Sequence, residues 1–349
     1  MKIYQTFLFK FFVFGLAAMI IVQCGILAFV GNVYFSDNAS YIGHKVETKQ
    51  SDKIKTTNFA VENGVKQFYG SFDGKYAAYQ YNHSIEILNL DNGTKKNIEA
   101  AKGMQIVCFK WIYDRDRLMI AERSKSGSYF KLYSYDTSDK STTEVIDNVD
   151  EKSIKISVLG SDETVSQIEM STLTNLIYLK IAGKNSSRLY KINIMAQKSS
   201  ITIPTHHIGN IALLKSDDII LYENTYNDTV YDSSSGKTLS IGGKNKLKLI
   251  GADNSDNVYL TPATNNKTSV IYYGDELLGI WQTINLPSAV SMNDLYLTGN
   301  GELYANNSSS SSLVNIKTGK TTKYKGSLKG VYDFGFLTQS GNKLVRQPF

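Results

Sequence analysis

Histidines and acidic clusters are the residues of this sequence whose side chains could bind a metal ion or move a proton. The four histidines include one adjacent pair, His206-His207, and one oxygen-rich run is Asp253-Asn254-Ser255-Asp256-Asn257. Neighbouring residues on a strand point to opposite faces, so the histidine pair is poorly placed to share one ion. The oxygen-rich run lacks the spaced Gly and terminal Glu of a helix-loop-helix calcium loop. We predict a connecting loop at the first and a hairpin turn at the second, with no metal site.

Motifs of other catalytic chemistries are absent from the sequence. It contains no Gly-x-Ser-x-Gly elbow, which exposes the nucleophile of α/β-hydrolases, and no glycine-rich loop that cradles phosphates or dinucleotides. Asp217-Asp218 falls in an expected turn, where acidic side chains are usually hydrated rather than tuned for acid–base work. We therefore predict no catalytic, cofactor-binding or metal residues and no cofactor.

The composition is that of an ordinary globular protein with a preference for β-sheet. The 349 residues are 42% hydrophobic and 20% charged, and 23 of them are Tyr, which suits a pleated and half-buried surface. Cys24 and Cys108 lie in segments of different kind, so we expect no disulfide between them. The net charge is only +6. We interpret the lysines as protection of exposed turns and sheet edges, and we expect no nucleic-acid partner.

A repeated turn between short apolar runs organises most of the chain. The turn is marked by Asp, Asn or Gly, which accept the positive φ angles of tight hairpins. The markers are Asp73-Gly74, Asp114-Arg115-Asp116, Thr174-Asn175, Asp217-Asp218, Asp256-Asn257, Gly299-Asn300-Gly301 and Gly341-Asn342. Most of their spacings are about 40 residues, the repeat length of a β-propeller blade.

A second series of turns alternates with the first and follows strands of alternating apolar residues. These turns lie at 90–93, 135–140, 194–198, 231–237, 273–275 and 316–320. Two such turns per repeat require about four strands, which make one propeller blade. The sequence therefore predicts an all-β protein, a β-propeller of about seven four-stranded blades, with six blades as the second choice.

The two ends of the repeat region predict how the ring closes. Counted from Gly341, the seventh repeat supplies only about half a blade before Phe349, and a closed propeller leaves no such open edge. We expect the strand-like segment 54–61 to complete the last blade, so that the propeller spans residues 54–349. The long spacing between the second and third markers holds extra residues around 147–167, which predict an extended surface loop or an extra hairpin.

The N-terminal segment predicts a membrane anchor. Residues 7–30 form an apolar run that is interrupted only by Lys10 and Gln23. About 20 apolar residues are enough to cross a bilayer as a helix. A cleaved signal peptide is the main alternative, although its apolar region is usually shorter. A lipoprotein signal would need small residues before an acylated Cys24, which Gln23 does not supply.

Charge around this run predicts its orientation. Residues 1–10 contain Lys2 and Lys10, and positive charge before a membrane helix keeps that end in the cytoplasm. Residues 31–53 are polar and are expected to form a stalk. We therefore expect a single-pass cell-membrane protein with most of its chain outside the cytoplasm.

The first repeat carries a resemblance to known propellers. Its pattern Ser71-x-Asp73-Gly74-Lys75-x-Ala77-x-Tyr79, followed by Ile85-x-Ile87-x-x-Leu90-Asp91-x-Gly93, resembles the repeats of the Tol-system periplasmic propeller proteins. It is equally similar to the N-terminal propeller of dipeptidyl peptidase IV-like proteins. The resemblance implies a propeller over residues 60–349 and leaves the function open. The peptidases join their propeller to a hydrolase domain with a Ser, Asp, His triad, which we expect this chain to lack.

Together these features favour a binding protein over an enzyme. We expect a membrane-anchored extracytoplasmic propeller that is not catalytic and binds or scaffolds a protein or glycan partner at the cell envelope. The alternative is a propeller hydrolase or lyase that acts on wall sugars or peptides at the central channel. A third function is an accessory subunit of a secretion or wall-assembly machine.

Overall fold

The computed structural model describes residues 55–65, 67–263 and 266–349, together with Met19, Val22 and Gln23. Residues 1–49 and 50–349 form separate compact units, and the three described residues of the first unit are helical. Within the described part of the chain, no helix has the length and apolar character needed to cross a bilayer. Apart from these three residues, the expected anchor at 7–30 and the stalk at 31–53 lie outside the described residues.

The described part of the second unit is built mainly from strands in eight antiparallel sheets. Seven of them we call blades 1–7 in chain order, and the eighth is a two-stranded hairpin. The first strand, β1 (Thr57–Ala60), belongs to blade 7. Blade 1 contains β2 (Tyr69–Gly70), β3 (Tyr76–Tyr81), β4 (Ser84–Asn89) and β5 (Lys95–Ile98). Blade 2 contains β6 (Met104–Trp111), β7 (Arg117–Ser124), β8 (Tyr129–Asp136) and β9 (Ser141–Glu144), followed by the hairpin of β10 (Ile146–Asp147) and β11 (Lys152–Ser153) and by β12 (Ile156–Ser157).

The remaining blades follow in the same order. Blade 3 contains β13 (Thr164–Ser171), β14 (Leu176–Ala182), β15 (Ser187–Ile192) and β16 (Lys198–Ile201). Blade 4 contains β17 (Ile208–Leu214), β18 (Ile219–Asn224) and β19 (Thr229–Asp232), and blade 5 contains β20 (Leu247–Ala252), β21 (Val258–Pro262), β22 (Lys267–Asp275) and β23 (Ile280–Ser291). Blade 6 contains β24 (Leu295–Leu297), β25 (Leu303–Asn307), β26 (Ser312–Asn315) and β27 (Thr321–Lys323), and blade 7 contains β28 (Ser327–Tyr332), β29 (Gly335–Ser340), β30 (Lys343–Pro348) and β1.

The seven-blade propeller is therefore confirmed, with two departures from four strands. Blade 4 has three strands, and an isolated bridge between Tyr231 and Thr238 stands where its fourth strand would run. Blade 2 gains a fifth strand, because β12 also pairs with β8. Both departures lie at the outer edges of the blades, where strands are not enclosed by other strands.

Apolar side chains from facing blades form the core. Between blades 1 and 2, Ile85 and Ile87 pack in one cluster with Leu118 and Ile120. Similar clusters join blades 2 and 3, blades 3 and 4, and blades 4 and 5. Because successive side chains of a strand point to opposite faces, each blade contributes apolar residues to two neighbouring clusters. Every blade is therefore stabilised mainly by the two beside it.

The ring closes through a strand from the N-terminal end of the propeller. β1 pairs antiparallel with β30 from Thr57 opposite Arg346 to Ala60 opposite Lys343. Arg346 is only 4% exposed, and its Nη1 donates to the carbonyl oxygen of Gly74 at 2.8 Å. Its Nη2 lies 2.9 Å from a carboxylate oxygen of Asp91. Blade 7 is thus fastened to two turns of blade 1.

Two predicted turn positions were wrong. Gly341 lies between β29 and β30, so the first turn of blade 7 is at Asp333 instead, and three strands rather than half a blade come from the C-terminal end. Gly341 has a φ of 59°, which suits any tight hairpin and does not identify which turn of a blade it forms. Gly274 lies inside β22, where a Cβ atom would be 1.9 Å from the carbonyl oxygen of Ile280. That glycine permits two strands to approach closely and does not mark a turn.

The extra residues between blades 2 and 3 form a hairpin, which was one of the two predicted forms. The N–H of Asn148, at the tip of the β10–β11 hairpin, donates to the carbonyl oxygen of Met195 in the outer turn of blade 3 at 2.9 Å. Farther along the insertion, Glu163 accepts from Arg188 at 2.7 Å and from the N–H of Leu159 at 2.7 Å. The insertion is therefore attached to blade 3 at two places.

The Arg346 contacts predict a large stability cost for replacing this side chain. Arg346→Met should lower the free energy of unfolding by about 2–4 kcal/mol, because it removes charge-assisted hydrogen bonds and leaves a buried carbonyl unpaired. Urea unfolding followed by circular dichroism measures the change. Arg117→Met is the control, since Arg117 is paired with Asp136 at a side chain that is 41% exposed, and its loss should cost less than about 1 kcal/mol. Equal losses in the two variants would contradict the role of Arg346 in closure.

Candidate functional site

One pocket of about 250 Å³ lies where the innermost strands of all seven blades end. Each blade contributes residues at or beside the turn between its first and second strands, which we call its first turn. Representative lining residues from blades 1 to 7 are Gly70, Trp111, Glu169, Lys215, Asn254, Thr298 and Asp333. Because all blades contribute, we call this cavity the axial pocket. The walls of this pocket are complete only when all seven blades are in place.

Side chains in the first turns link neighbouring blades around this pocket. In each link an acidic side chain of one turn accepts a hydrogen bond from the first turn of a neighbouring blade. The links are Asp114 with Thr172, Asp218 with Thr174, Asp256 with the N–H groups of Lys215 and Ser216, and Asp333 with the N–H of Gly299. Two of the acids that the sequence singled out as possible chemistry, Asp218 and Asp256, therefore hold blades together.

The sequence candidates lie in the elements that were predicted for them. Asp253 is buried in the first turn of blade 5 and accepts from the N–H of Ser255 at 2.8 Å and of Asn257 at 3.0 Å, which makes a hairpin turn. His206 and His207 are exposed on the connection between β16 and β17. Among residues 55–65, 67–263 and 266–349, no group of three or more His, Cys, Asp or Glu side chains is placed to share a metal ion.

Charged groups that the sequence did not single out line the axial pocket. Lys110 Nζ lies 2.6 Å from a carboxylate oxygen of Glu169. Lys215 is buried, its Nζ donates to the carbonyl oxygen of Asp253 at 3.0 Å, and it lies 4.9 Å from the ring centre of Tyr113. Burial lowers the pKa of Lys215. The pocket thus offers both signs of charge within a small volume.

Asp333 is an acid of the axial pocket whose pKa is strongly perturbed. Burial raises its pKa to about 6, although hydrogen bonds from the N–H groups of Gly299 and Asn300 act in the opposite direction. No sequence motif marks Asp333, but it occupies the first-turn position at which other blades also carry an Asp. Aligning the first turns by strand order would therefore have found it.

The end of the ring that carries the first turns also carries exposed apolar side chains. In blade 3, Ser171 pairs with Leu176 and Ile192 pairs with Lys198, so the turn between the third and fourth strands lies at the same end as the first turn. We call this end the first-turn face. Exposed apolar residues in these turns and in the adjoining hairpin are Ile146, Val149, Leu173, Ile194, Met195, Leu277, Leu278 and Ile280. Elsewhere on the described propeller, the exposed ones are Tyr69, Leu159 and Tyr226.

Comparison with known proteins identifies the architecture. No protein-family model and no curated protein sequence matches the chain. A solved oligogalacturonate lyase in complex with manganese is 11% identical, with a TM-score of 0.54 over 84% of this chain and 91% of the lyase. The oligogalacturonate lyase of Vibrio parahaemolyticus is 12% identical, with a TM-score of 0.50 over 83% of this chain and 91% of that chain.

The chain is a β-propeller. Dipeptidyl peptidase 4 of Porphyromonas gingivalis is also among the similar structures, at 13% identity and a TM-score of 0.42 over 77% of this chain and 47% of the peptidase. The structural similarity to the two lyases shows a shared fold, and at identities this low it leaves the activity open. The faces and pockets of this propeller are therefore the features that bear on its function.

The raised pKa of Asp333 predicts a pH-dependent stability. Between about pH 4 and pH 6 the folded protein keeps a proton on Asp333 that the unfolded chain has released, so this contribution is full below pH 4 and is lost as the pH rises. Relative to Asp333→Asn, the wild type should lose about 2–3 kcal/mol between pH 4 and pH 7. Urea unfolding of both proteins across this range measures the difference.

Asp136 provides a control of opposite sign. Hydrogen bonds from Ser138 and Arg117 lower the pKa of Asp136 to about 2. Its contribution is therefore present at neutral pH and is lost as the pH falls, so Asp136→Asn should become less stable than the wild type as the pH rises. A wild type and Asp333→Asn variant that follow parallel curves would show that Asp333 titrates normally.

Proposed function

We propose that this protein is a non-catalytic binding or scaffold propeller that docks a protein partner on its first-turn face. The observation that carries the proposal is the concentration of exposed apolar side chains at that end of the ring. Leu278 is 70% exposed, Leu173 is 68% exposed and Ile194 is 60% exposed. Single exposed apolar residues are common on protein surfaces, whereas a group of them on one face is typical of an interaction site.

The exposed side chains form two groups on the first-turn face. The hairpin patch consists of Ile146, Val149, Ile194 and Met195, and it joins the β10–β11 hairpin to the outer turn of blade 3. The blade 5 patch consists of Leu277, Leu278 and Ile280 at the β22–β23 turn. A partner that contacts both patches would extend over blade 4, which lies between them in the ring.

The chemistry of these patches favours a protein over a glycan. All of the side chains are aliphatic or Met, and the fully buried centre of a protein–protein interface is more apolar than the rest of the surface. The neighbouring axial pocket adds Lys110, Lys215 and Asp333 as polar groups that can fix the orientation of a bound segment. Apolar anchors around a polar pocket together supply affinity and specificity.

The proposed setting is the outer side of a cell membrane. The apolar run at residues 7–30 supports a single uncleaved helix, and Lys2 and Lys10 support a cytoplasmic amino end. The propeller is then held near the membrane, where it meets envelope proteins at high local concentration. An accessory role in secretion or wall assembly agrees with the same arrangement.

The axial pocket supports a second candidate, an envelope hydrolase or lyase. Asp333 has a raised pKa, and the same pocket contains Glu169 and Lys215. A carboxyl group with a pKa near neutrality suits general acid catalysis. The two lyases of similar fold make oligogalacturonate a reasonable first substrate to assay. Turnover that Asp333→Asn abolishes would favour this second function.

The patches predict which substitutions remove the partner. Ile194→Glu and Leu278→Glu should each weaken binding by about 10- to 100-fold, because a charge replaces an apolar anchor. Capture of envelope proteins by the full-length chain in mild detergent, followed by titration of the captured protein, measures the loss. Tyr226→Glu is the matched control, because Tyr226 is 83% exposed on the opposite face. Loss of capture in the control alone would place the binding site on the other face.

The anchor predicts how the protein behaves in membrane fractions. Carbonate washing at high pH should leave the intact chain in the membrane, because an apolar helix is not released by disrupting ionic contacts. N-terminal sequencing of the mature protein should find a start before residue 30. A chain that begins after this residue is a cleaved product and would contradict the anchor.

A further inference from the structure

The outer strand of blade 5 differs from those of the other blades in length and charge. β5, β9, β16 and β27 have three or four residues, and each contains a Lys or a Glu. β1 and β19, at the outer edges of blades 7 and 4, have four residues each. β23 has twelve residues, Ile280–Ser291, and none of them is charged. Short or charged edge strands, Pro residues and β-bulges prevent pairing with another chain. In β23, Pro287 and a register shift after Asn285 protect the second half, whereas Ile280–Asn285 is regular and uncharged.

Only one edge of β23 is occupied by a described strand. It pairs with β22 from Ile280 opposite Asp275 to Asn285 opposite Val270. Within residues 55–65, 67–263 and 266–349, no strand pairs with its other edge. Gly274 keeps β23 close to β22, because any side chain there would meet the backbone at Ile280. Over Ile280–Asn285 the other edge is therefore a regular row of peptide groups, and Pro287, which has no N–H, lies just beyond it.

The sequence of β23 is suited to pairing with itself. Thr283 is exposed and lies midway between Ile280 and Leu286. If two copies meet antiparallel with Thr283 opposite Thr283, Ile280 of each copy lies beside Leu286 of the other, and Gln282 lies beside Ile284. Opposite residues in an antiparallel pair project to the same face, so these side chains form one largely apolar row across both copies.

We propose that β23 pairs with β23 of a second copy of this chain and forms a two-fold symmetric dimer. The interface is isologous, because the same strand serves both subunits. Backbone hydrogen bonds along the edge supply affinity, and the apolar row fixes the register. No charge of one copy faces a like charge of the other within the strand, which is the electrostatic condition for self-pairing.

Charge reversal at the centre of the strand tests this proposal. The full-length chain in mild detergent should be a dimer by native mass spectrometry and sedimentation at concentrations up to about 50 µM, where a micromolar Kd is measurable. Thr283→Lys and Thr283→Glu should each be monomeric, because two like charges then stand opposite each other. An equimolar mixture of the two variants should recover dimers that contain one copy of each. Ser199→Lys, on the exposed outer strand β16, should stay dimeric.

Other occupants of the edge give different results. A wild-type chain that is monomeric throughout the concentration range overturns the proposal, including the case in which residues 1–54 of the same chain or a strand of another protein cover β23. Thr283→Lys that dimerises as strongly as the wild type also overturns it. Circular dichroism and urea midpoints close to those of the wild type show that the variants are folded.

Discussion

The pairing of β1 with β30 is the constraint on which the propeller depends. Each blade buries its faces against two neighbours, so a ring left open at blade 7 would expose apolar surface on two blades. Closing a loop of almost 300 residues costs about 5 kcal/mol of chain entropy, and this cost rises only slowly with the length of the loop. The contacts of Arg346, and the hydrogen bond from Thr57 Oγ1 to the carbonyl oxygen of Leu90 at 2.9 Å, offset part of that cost. Together with the apolar cluster that joins Phe68 and Tyr79 to Tyr332 and Leu337, these contacts connect the two ends of the ring.

Closure also creates the axial pocket, because this cavity exists only where seven innermost strands end together. The same geometry brings the acids of successive first turns within reach of the next blade. Asp256 and Asp218 use their carboxylates in this way at the periphery of the pocket. Asp333 makes the same kind of link while facing a more buried environment, and its pKa rises as a result. An unusual pKa here can follow from ring assembly alone, which is why we place the primary function on the exposed face.

Local constraints explain how far the sequence predicted this structure. Asn175, Asp218 and Asp256 have φ angles of 53°, 56° and 61°, so the residue types that tolerate left-handed backbone marked these turns correctly. Gly341 and Gly274 were assigned to the wrong positions. Gly341 forms the turn between the second and third strands of its blade, and Gly274 permits a close contact between two strands. Asp333, Lys110 and Lys215 were not singled out, since their proximity arises from blades far apart in sequence. The residue types of a turn depend on nearby sequence, whereas the side chains that meet in a pocket between blades come from distant parts of the chain.

Strand addition is the interaction that completes blade 7, and the edge of β23 is able to repeat it between chains. The two edges differ in which strand is available to pair with them. Blade 7 receives β1 from the same chain, where the effective concentration is high and pairing is favoured over any second copy. Blade 5 has no described strand within reach of its outer edge, yet its edge strand is the longest of the seven and carries no charge. The preference of an open strand edge for a pairing partner, which β1 meets in blade 7, therefore supports the proposed association between two copies at β23.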